Sequence, residues 1–96
     1  MKNVRDNRHP LTLVDFYAEW CEPCKMLDEI LEEIQGKMNN KIFIRKVDVD
    51  NEADFAMEYS VMSVPVLILF KNGEPVWRMN GFMMAPELLK VLEKYV

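Results

Sequence analysis

The sequence predicts an α/β domain with a mixed four-stranded sheet and helices packed on both of its faces. Residues 11–18 and 64–70 are nearly continuous apolar runs, which is typical of strands buried on both sides of a sheet. Apolar residues recur at helical spacing after residue 25, and another strand-like run follows at residues 42–49. Strand, helix and strand at this spacing indicate a parallel βαβ unit with a right-handed crossover. The length of 96 residues indicates one domain over residues 1–96.

The first predicted helix begins beside Pro23, because the N–H that proline lacks costs nothing in the first turn of a helix. Gly36 is expected to end this helix, since glycine is frequent just past a helix C-terminus. After the strand at residues 42–49, Asp50 or Asn51 can cap a short helix that runs to residue 59. The apolar stripe of the first helix is formed by Met26, Leu27, Ile30, Leu31 and Ile34.

The last part of the chain is predicted to form a hairpin and a helix. Asn72-Gly73 joins the strand at residues 64–70 to a fourth strand at residues 75–79, because Asn-Gly accepts the positive φ angles of a tight turn. Pro75 suits an edge strand or a strand start. The final helix opens at Pro86. Its expected inner stripe is Leu88, Leu89, Leu92 and Tyr95.

Charge and composition exclude several classes of function. Half of the residues are hydrophobic, 29% are charged and the formal net charge is −4, which argues against binding to nucleic acid or to an anionic membrane surface. No apolar stretch approaches the ~20 residues that span a bilayer. Residues 1–10 make a poor signal peptide, so a cytoplasmic location is expected. Cysteines in that compartment are more often catalytic or metal-binding than structural.

The two cysteines of the chain, Cys21 and Cys24, lie where the first strand gives way to the first helix. A helix N-terminus presents unpaired N–H groups and the positive end of the backbone dipole, and both stabilise a thiolate. The thiolate is the reactive form of cysteine. The pair is therefore interpreted as a reversible dithiol/disulfide that exchanges electrons with other proteins.

A zinc site is the alternative chemistry for a C-x-x-C pair. No second cysteine pair is present, and the single histidine, His9, lies in the N-terminal segment. A zinc ion would therefore need carboxylates or a second chain to complete its ligands. We expect no metal and no other cofactor.

Several segments together resemble the thioredoxin family. Residues 14–26, VDFYAEWCEPCKM, resemble the family's active-site segment nearly position by position, and Val64-Pro65 resembles the segment that carries its cis-proline. Residues 70–74 resemble the family's hairpin, and Gly81 resembles the glycine beside its substrate groove. The resemblance covers residues 11–96 in one register. It implies the thioredoxin-like fold and activity as a protein disulfide reductase.

The chain departs from the family pattern in three places. Glu22 stands where the family usually has glycine, and Glu29 stands where its helix usually carries a kinking proline. Only ten residues precede Leu11, so the first of the family's usual five strands is expected to be missing. One sheet edge is then either exposed or covered by residues 1–10.

The resemblance implies catalytic roles for four residues. Cys21 is expected to be the more exposed sulfur and the attacking nucleophile, and Cys24 is expected to resolve the mixed disulfide. Asp15 is implied to be the family's buried acid, which shuttles a proton for Cys24, and its burial should raise its pKa. In the alternative, Asp15 points outward or only pairs with Lys46. Lys46 matches the family's lysine near this acid and would moderate the pKa of Asp15.

Further residues are implied to bind the substrate. A cis peptide bond before Pro65 would expose the backbone of Val64 to an extended substrate segment, whereas the alternative is a trans-proline that begins a strand. Trp20 is expected to form one wall of the docking surface, and Phe82 to extend it beside Gly81. The other residues expected there are Glu22, Pro23, Met62 and Met83. Most of the eight methionines are expected to fill the core.

Glu22 has two interpretations. Its carboxylate would oppose the thiolate of Cys21, which would make the pair more reducing or bias the choice of partner. Alternatively, it is a solvated acid that interacts favourably with the helix dipole.

Two other functions remain open on the same fold. One is a redox enzyme of the glutaredoxin, disulfide-isomerase or oxidase type, and the other is a binding module that uses the groove without turnover. As a reductase, the protein is expected to be a monomer. Its expected partners are target proteins with disulfides and a thioredoxin-reductase-like electron donor.

Overall fold

A computed structural model describes residues 10–96 of the chain. The helices and strands are β1 (Leu11–Tyr17), α1 (Glu22–Met38), β2 (Phe43–Asp48), α2 (Ala53–Glu58), β3 (Val66–Lys71), β4 (Glu74–Asn80) and α3 (Ala85–Glu93). A 3-10 turn, Asn39–Lys41, joins α1 to β2. Two expectations concern residues 1–9, which lie outside the described residues: the loss of a first strand, and a sheet edge that is either exposed or covered by the N-terminal segment.

The four strands of the described residues form one mixed sheet in the order β2-β1-β3-β4. β1 pairs parallel with β2 and antiparallel with β3, and β4 closes the other side as an antiparallel neighbour of β3. β1 and β3 are central, which explains why their sequences are apolar almost throughout. The predicted α/β fold with a mixed four-stranded sheet is confirmed.

Side chains that alternate along β1 build two separate cores. Leu13 packs with α1 and α3 on one face of the sheet. Val14 and Phe16 pack on the opposite face, where α2 contributes Ala56. By the same alternation, Asp15 points toward the face that α1 covers. The helices therefore lie on both faces, as predicted, and the side chain of Asp15 lies on the face under α1.

The end of α1 differs from the prediction. Gly36 does not stop the helix, which continues to Met38. Asn39 ends it instead, with a φ of 51°, because asparagine tolerates the left-handed conformation. The amide of Gln35 donates to the backbone carbonyls of Asn39, at 2.7 Å, and Ile42, at 3.1 Å, and so ties the end of the helix to the chain that leaves it.

The start of α2 also differs from the prediction. Glu52, rather than Asp50 or Asn51, occupies the N-cap position, and the helix ends at Glu58. Asp48 is the physical reason. Its carboxylate accepts the N–H of Asp50 at 2.9 Å, and its carbonyl accepts the N–H groups of Asn51 and Glu52. These bonds form a turn that delays the first helical residue.

The hairpin and the last helix agree with the prediction. Asn72 and Gly73 have φ angles of 51° and 85°, as a tight turn between β3 and β4 requires. Pro86 lies in the first turn of α3. Leu88 and Leu92 are buried, whereas Leu89 and Tyr95 of the expected stripe are half-buried.

Most methionines do not fill the core, contrary to the prediction. Among residues 10–96, Met38 is the only buried methionine. Met26, which was assigned to the inner stripe of α1, is half exposed because it lies off the face formed by Leu27, Ile30 and Ile34. No helix in the described part of the chain is long and apolar enough to cross a membrane.

Candidate active site

Cys21 and Cys24 form a disulfide at the start of α1, with their Cα atoms 5.3 Å apart. Cys21 is the N-cap residue, and its sulfur accepts the backbone N–H of Cys24 at 3.2 Å. That N–H is one of the helix-start donors without a partner inside the helix. The sulfur of Cys21 therefore lies where backbone donors favour negative charge, as the sequence predicts.

The helix begins here for local reasons. The N–H of Cys21 donates to the carbonyl of Ala18 at 3.2 Å, which closes a turn directly after β1. Pro23 occupies the first turn, where its missing N–H costs nothing. Glu22 and Lys25 are exposed and form an ion pair of 3.1 Å one turn apart. The charge of Glu22 thus has a cation beside it, which sequence reasoning did not anticipate.

The two cysteine residues are almost equally buried. Cys21 is 4% exposed and Cys24 is 3% exposed in this oxidised state. Both belong to one small cluster with Ala18, against which Tyr17 and Val64 pack. Since the sulfurs are bonded to each other, the same neighbours cover both. In the disulfide form, the two cysteines differ in their position in the helix, because Cys21 is the N-cap residue and Cys24 lies in the first turn.

A loop on the other side of the disulfide brings together three predicted substrate-binding residues. The Val64–Pro65 peptide bond is cis, so the trans alternative is wrong. Val64 packs against the cysteine cluster, while Pro65 is buried. The N–H of Gly81 donates to the carbonyl of Pro65 at 2.8 Å, and the φ of Gly81 is 116°, which favours glycine. This bond holds the segment after β4 beside the proline.

The residues expected to form a docking surface are exposed to different degrees. Trp20 is 70% exposed, and its indole N–H donates to the carboxylate of Asp50 at 3.1 Å. Met62 is 90% exposed. Phe82 and Met83, by contrast, are half-buried and pack against the core between α1 and α3. Their contribution to a surface is therefore limited to the part that the core leaves uncovered.

Asp15 is fully buried, with 0% exposure, so the alternative that it points outward is wrong. It faces Lys46 across β2 and Leu67 across β3 in the strand register. Neither of its carboxylate oxygens has a hydrogen-bond partner among residues 10–96. Burial raises the pKa of Asp15 to about 7; the charge of Lys46 lowers it in part, and the charge of Asp28 raises it further.

Lys46 does not pair directly with Asp15. Its ammonium donates to the Asp28 carboxylate on α1 at 2.6 Å and lies 4.4 Å from the centroid of the Tyr17 ring. Partial burial lowers the pKa of Lys46, but the hydrogen bond and charge of Asp28, with the charge of Asp15, outweigh it, so the pKa is raised. The alternative in which Asp15 only forms an ion pair with Lys46 is therefore wrong.

A polar cavity of about 230 Å³ lies beside Cys24 and the Asp28–Lys46 ion pair. It is lined by Tyr17, Ala18, Glu19, Cys24, Lys25, Asp28 and Lys46. Cys24 thus shares a cavity with the Asp28–Lys46 ion pair, and the cross-strand partner of Lys46 is Asp15. The cavity thus places the cation of Lys46 near Cys24, and the titratable acid Asp15 lies on the strand next to that of Lys46.

Sequence reasoning missed Asp28 and Asp50. Asp28 lies one helical turn after Cys24, on the same side of α1, so the spacing of four residues is a signal that could have found it. No sequence signal links Asp50 to Trp20, which is 30 positions away. Within residues 10–96, no group of three or more His, Cys, Asp or Glu residues could hold a metal ion. His9 lies outside that range.

The chain is similar to known proteins over nearly its whole length. The family model described as thioredoxin matches residues 1–94. A thioredoxin of Staphylococcus saprophyticus is 45% identical over 95 residues, covering 98% of this chain and 91% of that protein. A thioredoxin of Staphylococcus epidermidis is 49% identical over 84 residues, which cover 88% of this chain and 81% of that protein. The X-ray structure of Fasciola hepatica thioredoxin superposes with a TM-score of 0.86 at 29% identity, covering 99% of this chain and 89% of that one.

Proposed function

Because this chain belongs to the thioredoxin family and is a thiol–disulfide oxidoreductase that reduces protein disulfides, we propose a specific role in the reaction for each of four residues. These are Cys21, Cys24, Asp15 and Lys46. The observation that carries the proposal is the Cys21–Cys24 disulfide at the start of α1, with the carboxyl of Asp15, which has no hydrogen-bond partner among residues 10–96, on the sheet below that helix. The comparisons do not favour a glutaredoxin, an isomerase or a binding module without turnover.

The reaction begins with the reduced protein, which holds two thiols. The thiolate of Cys21 attacks one sulfur of the target disulfide, that disulfide breaks, and the leaving sulfur departs with the electron pair and takes up a proton. The thiolate of Cys24 then attacks the sulfur of Cys21. The bond between Cys21 and the target breaks, and the second target sulfur leaves and is protonated. The target gains two electrons and two protons, and the protein ends with the Cys21–Cys24 disulfide.

Asp15 is proposed to accept the proton of the Cys24 thiol before the second attack. Its position on the face that α1 covers supports this role, as does a pKa raised to about 7 by burial. A carboxyl with such a pKa exchanges protons near neutrality, which an exposed aspartate does not. Lys46 limits how far burial raises that pKa, because its positive charge favours the ionised carboxylate.

The target is proposed to dock as an extended segment beside the disulfide. The backbone of Val64, which precedes the cis-proline Pro65, would bond to that segment as a neighbouring strand does. Trp20 contributes the large exposed apolar area that typically anchors such contacts. The remaining residues that we assign to this surface are Glu22, Pro23, Gly81 and Phe82.

The family implies two kinds of partner, namely proteins that carry disulfides and a reductase that restores the dithiol. We propose that the donor is of the thioredoxin-reductase type and that the protein works in the cytoplasm, where such donors keep thiols reduced. We further propose that residues 1–96 act as a single domain and a monomer, and that neither nucleic acid nor a membrane is a partner. Fractionation and light scattering would test these points.

Trapping of the mixed disulfide tests the assigned roles. Cys24→Ser removes the resolving thiol, so Cys21 should remain bonded to its targets, which are then released by reductant and identified. Cys21→Ser and the double variant are the matched controls and should trap little. If Cys21→Ser captured the same targets as well as Cys24→Ser, the two roles would be reversed. Reduction of insulin with dithiothreitol, but not with glutathione as the only reductant, would separate the protein from a glutaredoxin.

A further inference from the structure

Asp28 is an ionised group beside the site that the reaction described above does not use. It lies on α1 one turn after Cys24, and its carboxylate binds the ammonium of Lys46 at 2.6 Å. Both side chains are a little under half exposed, at 45% and 42%. The ion pair therefore spans from α1 to the sheet at the rim of the cavity that Cys24 lines.

Lys46 has two carboxylates in its neighbourhood. In the strand register it lies directly opposite Asp15, and its charge acts on the carboxyl of Asp15. The ammonium is instead bonded to Asp28 and packed over the ring of Tyr17. Asp15 is left without a hydrogen-bond partner in the described part of the chain.

We propose that Asp28 is a positioning residue for the proton transfer at Cys24, because it binds the Lys46 ammonium at the cavity rim and so keeps this cation from pairing with Asp15. The inference rests on the proton-accepting role proposed above for Asp15. It assigns Asp28 no contact with the reacting sulfurs or with the target.

Two effects of Asp28 act on Asp15 in the same direction. Its negative charge disfavours a second negative charge nearby, and its bond to Lys46 occupies the cation that lowers the pKa of Asp15. Loss of the Asp28 charge should remove the first effect and free Lys46 to approach Asp15. Both changes favour the ionised form of Asp15, so its titration should move to lower pH.

The other titratable groups around this ion pair are few. Those that share its cavity are Tyr17, Glu19, Cys24 and Lys25. On the far side, Asp28 and Lys46 also line a groove with Glu32, one turn further along α1. From β3, the residue opposite Asp15 is the apolar Leu67. Glu32 is therefore a suitable control, since it carries the same charge on the same helix face but is not the partner of Lys46.

The test is a pH titration of the Asp15 carboxyl by carbon NMR in the oxidised protein, where the cysteines do not titrate. Asp28→Asn should lower the midpoint by about one pH unit or more, within the range typical of a nearby cation. Lys46→Met should raise it, and Asp28→Glu should keep it near the wild-type value. Glu32→Gln should leave it nearly unchanged.

Three results would overturn the inference, and the first of them would also remove the proton-accepting role of Asp15. A wild-type midpoint near 4 would remove the proton role of Asp15 and this inference with it. A wild-type midpoint near 7 that Asp28→Asn did not lower, in a variant with an unchanged circular dichroism spectrum, would overturn only the role of Asp28. A fall as large in Glu32→Gln would also overturn it, because the effect would then come from net charge alone.

Discussion

Replacing Asp15 with asparagine should change how the stability of the oxidised protein depends on pH. The side chain is fully buried, and burial raises its pKa from 3.8 to about 7. At about 1.4 kcal/mol for each pKa unit, the difference between about 7 and 3.8 corresponds to about 4 kcal/mol. This is the largest pH-dependent contribution that we expect from one residue.

The sign follows from where the proton is bound. Below pH 3.8, Asp15 is protonated in both the folded and the unfolded protein, and it contributes no pH dependence. Between pH 3.8 and about 7, the folded state keeps the proton while the unfolded state loses it. The free energy of unfolding of the wild type should therefore fall as pH rises through this window, and stay level above it. Asp15→Asn has no such proton, so its stability relative to the wild type should rise by up to about 4 kcal/mol.

Urea denaturation followed by far-ultraviolet circular dichroism, at intervals from pH 4 to pH 8 without reductant, measures the difference. Titrating groups far from Asp15 cancel in the comparison of wild type with variant. A constant offset is expected, because the asparagine amide is buried too. Asp54→Asn, an exposed change on the opposite face of the sheet, is the matched control for replacing a carboxyl by an amide, and its difference from wild type should change far less than that of Asp15→Asn. A difference between Asp15→Asn and wild type that did not change over this range would refute the reasoning.

Three further predictions concern the helix, the core and the redox pair. Gly36→Ala should raise the free energy of unfolding by about 0.5–1 kcal/mol in urea denaturation, because Gly36 is exposed inside α1 with no atom within 4 Å of an added Cβ; an unchanged or lower value would contradict this. Leu69→Ala should lower it by about 2–5 kcal/mol in the same assay, since Leu69 is fully buried between the sheet and the helices. Glu22→Gly should make the disulfide less reducing in equilibrium with dithiothreitol mixtures, because a carboxylate beside Cys21 opposes the thiolate; an unchanged potential would remove the redox role and leave partner choice or a solvated acid at the helix start.

The fold could be predicted from the sequence because its signals are local. The apolar runs at residues 11–18 and 64–70 indicate central strands whatever the rest of the chain does. Asn72-Gly73 indicates a hairpin because of its own backbone preference. The cysteine pair likewise indicates a redox site, because it lies where a helix begins. These features depend on residues a few positions apart.

The ends of the helices and the burial of the methionines could not be predicted in the same way. Gly36 is an ordinary stop signal, yet Asn39 ended α1 because Gln35 tied the following chain in place. Asp48, outside the predicted helix, set the start of α2 by accepting hydrogen bonds from three backbone N–H groups. In each case more than one residue could end or begin the helix, and contacts with neighbouring residues decide which one does.

The sequence by itself determined the order of strands and helices, the redox pair and the presence of an acid inside an apolar strand. Only the tertiary structure decided that Asp15 lies fully buried without a hydrogen-bond partner in the described residues, while Lys46 binds Asp28 from another element. The physical reason is that desolvation and Coulomb interaction depend on distances between side chains far apart in the chain. Those distances exist only after α1 has packed onto the sheet.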